Sequence, residues 1–229
     1  MKRAFALIIA AATLAACTAG CGDKAEKSGA ESSSAVSEVP ESVNKELKEA
    51  IEADAVPVPD GGWTDDALLA VTLVNGKKLS IPFTLSDLGE GFGVETSGDN
   101  FMKKESGETT ASLTYYGRIC GLLTTPADAT ADNFASQEYS KLTFYKKGLE
   151  AEKYPEVYPI SMNGVTIGTK YDDMKARLGF TADESSGDPN TSGKSFTVTG
   201  FTDSYYIRII GKDAEINHIT IGPKNTDKS

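Results

Sequence analysis

Two stretches of this chain, 75–93 and 163–179, follow one plan, and that repetition limits the folds open to it more than any other feature. Each begins with Asn-Gly (Asn75-Gly76 and Asn163-Gly164) and then carries a Thr-x-x-Asp (Thr84 with Asp87, Thr169 with Asp172). Each then spaces three apolar side chains at the same intervals: Leu85, Leu88 and Phe92 in the first, Tyr171, Met174 and Leu178 in the second. Asn-Gly suits both positive-φ positions of a tight hairpin turn. Thr-x-x-Asp is a capping box with Asp in place of Glu, and the apolar spacing defines one helical face. Gly93 and Gly179 then close the two predicted helices, the first of which is weakened by Gly89 and Gly91.

Three segments with strand character follow each helix: 112–116, 119–124 and 139–146, then 195–199, 205–210 and 215–221. A predicted hairpin with arms 68–74 and 77–83 precedes the first helix, and a short strand, 165–167, precedes the second. Residues 95–110 read as polar and turn-rich. The expected fold class is α+β, a tandem duplication of a helix plus three-stranded antiparallel sheet unit, with modules at 61–155 and 156–224 and a tail at 225–229.

Upstream, Leu14-Ala15-Ala16-Cys17 ends an apolar run that begins after Lys2 and Arg3. Residues 4–14 are too few to span a bilayer. The arrangement closely resembles a bacterial lipoprotein signal, in which an aliphatic residue and two small residues precede a cysteine that receives lipid. The resemblance implies that residues 1–16 are a signal peptide, that Cys17 carries fatty acyl groups such as palmitate, and that the chain is anchored to the cell membrane or outer membrane facing outside the cytoplasm. Thr18-Ala19-Gly20-Cys21 is a second version of the pattern, with Thr18 in the aliphatic position.

Residues 17–60 then form the lipidated cysteine, a flexible tether and a short helix. The stretch 18–41 is rich in small and polar residues and buries too little surface to offset ordering entropy, so it reads as disordered. As a coil it reaches roughly 25–30 Å from the membrane. From Ser42, a predicted cap, Val43, Leu47 and Ile51 share one helical face.

Composition narrows the chemistry. The chain has 33 acidic and 23 basic residues, for a net charge of −10, and no basic stripe, which argues against nucleic acid and anionic lipid headgroups as partners. Its three cysteines make no disulfide framework: Cys120 sits in an apolar run and reads as core, while a Cys21–Cys120 bridge stays open. His218 is the only histidine, so sites needing two are excluded; its place in the last strand suggests a surface or sheet-edge residue. Asp172 and Asp173 are explained by the first turn of a helix, and the Asp60 to Asp66 cluster lacks the alternation of a calcium loop. Phosphate loops, C-x-x-C pairs and a G-x-S-x-G elbow are absent. No catalytic residue, metal site or cofactor is assigned, and the chain is not expected to be an enzyme.

The aromatic residues offer the remaining ligand-binding candidates. Trp63, the only tryptophan, either stacks on a sugar beside Asp60, Asp65 and Asp66 or plugs the edge of the core. Tyr116 and Tyr206 join it, each from a Tyr-Tyr pair whose members face opposite ways if both lie in a strand.

From Val165-Thr166-Ile167-Gly168-Thr169, through Asp173-Met174 and Leu178-Gly179, to Ile219-Thr220-Ile221-Gly222, the second half resembles repeats of the β-lactamase-inhibitor-protein type and small outer-membrane assembly lipoproteins. That resemblance implies protein binding on a sheet face and no catalysis. Modules of this kind carry two helices before the sheet, whereas one is evident here. Two functional classes follow. The favoured one is a membrane-anchored, non-catalytic domain that binds a protein partner in the cell envelope. The other is an envelope glycan or small-ligand binder built on Trp63 and the tyrosines.

Overall fold

A first helix, α1 (Glu41–Glu52), follows Pro40 and begins one residue before Ser42, the expected cap. It lies in a computed structural model that describes residues 37–53, 55–105, 107–146, 155 and 157–224, all within one compact unit. The expected signal peptide, Cys17, Cys21, the tether up to residue 36 and the tail 225–229 lie outside the described residues. The predicted face of α1 is the one that packs: Leu47 is buried in the core cluster, and Val43 and Ile51 rest half-buried against it.

The second helix, α2 (Asp65–Ala70), corrects the hairpin expectation. Thr64 caps it, its Oγ1 accepting from the Ala67 amide at 3.2 Å, and Asp65 and Asp66 fill its first turn. Residues 68–70 are therefore helical, leaving the strand β1 (Thr72–Val74). The turn itself is as expected, with Asn75 at φ 50° and Gly76 at φ 72°. The return strand β2 (Lys77–Lys78) is short, and Pro82 further on has no N–H to give to a ladder.

The first of the two matched helices is a single turn, α3 (Leu85–Leu88). Asp87 Oδ2 accepts from both the amide and the hydroxyl of Thr84, each at 2.7 Å. Gly89, at φ 96°, ends the helix, not Gly93, and Phe92 opens the strand β3 (Phe92–Glu95). A further strand, β4 (Phe101–Lys103), arises within the supposedly turn-rich stretch. The predicted meander follows as β5 (Thr109–Tyr115), β6 (Arg118–Thr125) and β7 (Lys141–Tyr145).

In the second half the strand β8 (Ile160–Met162) precedes Asn163-Gly164; of 165–167 only Val165 pairs, with Met162. Thr169 is not the cap of α4 (Tyr171–Leu178). Lys170 holds that position, and the Thr169 hydroxyl accepts from the Thr166 amide at 2.9 Å. The rest of the helix matches expectation, with Tyr171, Met174 and Leu178 buried and Gly179 at φ 73° closing it. Then come β9 (Ser195–Phe201), β10 (Tyr205–Lys212) and β11 (Glu215–Pro223).

The strands make two antiparallel sheets. A small one has the order β2-β1-β8; the large one has eight strands in the order β3-β5-β6-β7-β11-β10-β9, with β4 beside β3 on the outer edge of β5. The large sheet is a mirror sequence about its centre: β5-β6-β7 on one side is answered by β11-β10-β9 on the other. β7 and β11 meet along the register Leu142 to Ile221 and Tyr145 to His218, and β1 meets β8 antiparallel in the same way. One face of the sheet carries the core: Leu113, Leu123, Leu142, Phe144, Ile219, Ile221, Ile207, Ile209 and Val198 are fully buried. Close approach of β6 to β7 depends on Gly121, where a Cβ would collide with the Thr143 carbonyl oxygen.

Candidate functional site

The opposite face of the large sheet has a different composition, set by the alternation of the same strands. Opposite pairs there are Ser112 with Leu122, Leu122 with Thr143, Thr143 with Thr220, Thr220 with Arg208, and Arg208 with Thr199. A parallel row runs from Met102 through Thr110, Thr124 and Lys141 to Gly222, Tyr206 and Phe201. Each helix buries its apolar side in the hydrophobic cluster, through Leu47, Leu68, Leu88 and the three side chains of α4, so these four helices pack on the core side and not on this second face.

Short hydroxyl side chains form its floor. Thr110 and Thr124 hydroxyls lie 3.0 Å apart, as do those of Thr143 and Thr220, and all four residues are at most 5% exposed. Around the Thr143–Thr220 pair stand the long side chains. Arg208 is exposed opposite Thr220. Lys141, two residues before Thr143, holds its Nζ 5.9 Å from the centre of the Tyr206 ring. Gly222 leaves the room for that contact, since its Cβ position is 3.3 Å from both Lys141 Cβ and the Tyr206 ring. His218 Nε2 is 3.0 Å from Thr220 Oγ1, and its ring stacks on Tyr145 at 6.2 Å.

The charges nearest His218 are positive. Burial holds the His218 imidazole below its ordinary pKa, and the positive charges of Arg208 and Lys141 push it further down. No carboxylate among the described residues lies within 4.0 Å of Arg208 or Lys141. The acids at the margins of the face are held locally: Glu95 accepts from Ser97, and Asp183 from the amide and hydroxyl of Thr199. Two exposed apolar side chains end the Met102 row, Met102 at 49% and Phe201 at 55% exposure.

The residues singled out from sequence are scattered. Trp63 is buried, its indole donating to the Leu178 carbonyl at 2.8 Å, so it plugs the core beside the end of α4. Tyr116 is in a turn, at φ 48°, and its ring packs edge-on to that of Tyr115 at 4.8 Å. Tyr115 is core, its hydroxyl donating to Asn75 Oδ1 at 3.0 Å. Only Tyr206 lies on the open face. His218 is in an interior strand, half-buried, instead of at an edge, because β11 is flanked by β7 and β10. Cys120 is a buried free thiol whose Sγ lies 3.6 Å from the Leu113 carbonyl oxygen; Cys21 is outside the described residues. Asp65 is tied to Thr202 and Ser204, whose hydrogen bonds lower its pKa, and no group of three or more potential metal ligands gathers among the described residues.

Sequence reading missed Lys141, Thr143, Arg208 and Thr220. Each stands at an outward position of a predicted strand, so the signal was alternation; strand neighbours separated by 77 residues, as Thr143 and Thr220 are, carry no local mark.

No protein-family model and no curated protein matches the chain. Among solved structures, a DUF4309 family protein (YjgB) from Bacillus subtilis is similar at 12% identity over 80% of this chain and 95% of that one, with a TM-score of 0.27.

Proposed function

We propose that this is a membrane-anchored extracytoplasmic lipoprotein, without catalytic activity, that binds a protein partner through the open face of its large sheet. The observation that carries the reading is that face itself: a broad floor of buried hydroxyls, flanked by Lys141 and Arg208, which have no carboxylate partner among the described residues, and ended by exposed Met102 and Phe201. Met102, Phe201, Tyr206 and Arg208, all at least partly exposed on this face, are of the residue types enriched in protein-binding surfaces. The membrane anchor rests on Leu14-Ala15-Ala16-Cys17. Among the described residues no helix is long and apolar enough to cross a membrane.

The single-site chemistry supports binding over turnover. Among the described residues the His218–Thr220 pair has the look of a nucleophile and base, yet the other ring nitrogen has no hydrogen-bond partner among them to orient it. The tandem duplication belongs to the same proposal. It is supported by the mirrored strand order and the antiparallel pairing of β1 with β8, each ending in Asn-Gly. A glycan-binding role would lose its main anchor, since Trp63 is occupied in the core.

A photoreactive side chain placed at Thr199, in the anchored full chain in its native envelope, tests the assignment. The expected outcome is a covalent adduct with one protein from Thr199 and none from exposed Lys78, on β2 of the small sheet. Adducts with glycan, or equal labelling from both positions, would overturn it.

A further inference from the structure

The protein-binding reading says nothing about what kind of segment the face recognises, but its charge and dimensions do. We propose that the open face takes an extended, acidic peptide segment of the partner, laid across the strands from Met102 to Phe201. A carboxylate of that segment sits over the Thr143–Thr220 hydroxyls between Lys141 and Arg208. This rests on the protein-binding assignment and adds the chemistry of the partner.

Charge complementarity is the first argument. The chain is acidic overall, at −10, yet the long ionisable side chains around the Thr143–Thr220 pair are Lys141, Arg208 and His218. Both Lys141 and Arg208 lack a carboxylate partner within 4.0 Å among the described residues. A carboxylate entering there gains hydrogen bonds from hydroxyl and guanidinium donors, the stronger because they are charge-assisted. Dimensions are the second argument. Met102 to Phe201 crosses six strand intervals, about 29 Å at the usual spacing, which about nine extended residues span. The apolar ends decide between acidic polymers: a polyphosphate-type envelope polymer has nothing to place on Met102 and Phe201, whereas a peptide with apolar residues flanking its acids does.

His218 is the only histidine, so its ring proton signals report on the face without assignment. The test titrates the full chain with an acetylated nonapeptide of seven glutamates between two leucines, and with the version carrying glutamines. The glutamate peptide should shift the His218 signals saturably, raise the pH midpoint of His218 and bind more weakly as salt is added; the glutamine peptide should do none of these. Arg208→Glu and Lys141→Glu should each weaken binding about tenfold or more, the factor that corresponds to about 1.4 kcal/mol. Unchanged Trp63 emission shows that each variant is folded. Equal binding of the two peptides, unaltered affinity of both charge reversals, or a His218 response to phosphatidylglycerol vesicles but not to the peptide would overturn the proposal. If the Thr199 adduct persists while the acidic peptide fails, the charge argument falls and protein binding stands; loss of the adduct as well removes both.

Discussion

Asn163 offers the sharpest test of how the second half is held together. It sits in the left-handed region at φ 51°, is 6% exposed, and spends its amide on a segment far away in sequence. Oδ1 accepts from the Val56 amide at 2.8 Å, while Nδ2 donates to the Val56 carbonyl at 2.9 Å and to the Arg177 carbonyl at 2.7 Å. Three side-chain hydrogen bonds at about 0.5–1.5 kcal/mol each come to about 1.5–4.5 kcal/mol. Alanine adds about 1 kcal/mol for occupying the left-handed region, a cost glycine avoids. Asn163→Ala should therefore destabilise by about 2.5–5.5 kcal/mol, and Asn163→Gly by about 1 kcal/mol less. Asn163→Asp should be at least as harmful as glycine, because it keeps the acceptor but turns a carboxylate oxygen toward two carbonyls. Urea melts of the four proteins, compared at constant m-value, read these differences directly. The reasoning is refuted if Asn163→Ala lies within about 1 kcal/mol of the parent, below the three-bond minimum, or if glycine proves worse than alanine.

Met174→Ala, at a fully buried position of α4, should cost about 2–5 kcal/mol, while Thr169→Ala should cost about 0.5–1.5 kcal/mol, the hydrogen bond from the Thr166 amide alone, since Lys170 holds the cap; thermal melts compare the two. His218 should titrate below its ordinary value in NMR. Its lowered pKa means that stability is full above about pH 6.5 and falls as the unfolded chain takes up a proton, levelling off below the folded pKa; in His218→Gln that fall should shrink. Replacing Lys141 and Arg208 by methionine should raise the His218 midpoint, and an unchanged midpoint would show that burial alone lowers it. Cys17→Ser should abolish labelling by a fatty-acid probe, with persistent labelling pointing to Cys21.

How much of this was legible in the sequence varied with the range of the interaction that decides each element. The six long strands could be read because alternation is local, and Asn75-Gly76 and Asn163-Gly164 because turn chemistry is. Two other tight turns were not marked: Tyr116-Gly117 and Asp213-Ala214 also have both residues at positive φ, with a tyrosine and an alanine where glycine or asparagine is usual. The paired Thr-x-x-Asp pattern misled. Asp87 caps a helix that Gly89 ends after one turn, and Thr169 serves the preceding turn, so identical local chemistry was put to different uses. The open face was beyond reach, since it exists only where β7 and β11 meet.

That meeting has a consequence for how the chain comes to be folded. β11 follows β9 and β10 in the chain, yet it is the strand that joins the second meander to the first, pairing with both β10 and β7. During synthesis the first meander can assemble early, but the free side of β7 keeps a row of unpaired backbone groups until the closing strand arrives. Such an edge invites pairing with other chains. Premature termination anywhere before residue 215 would therefore do more than shorten the protein; it would leave a half-sheet with an open, hydrogen-bonding flank.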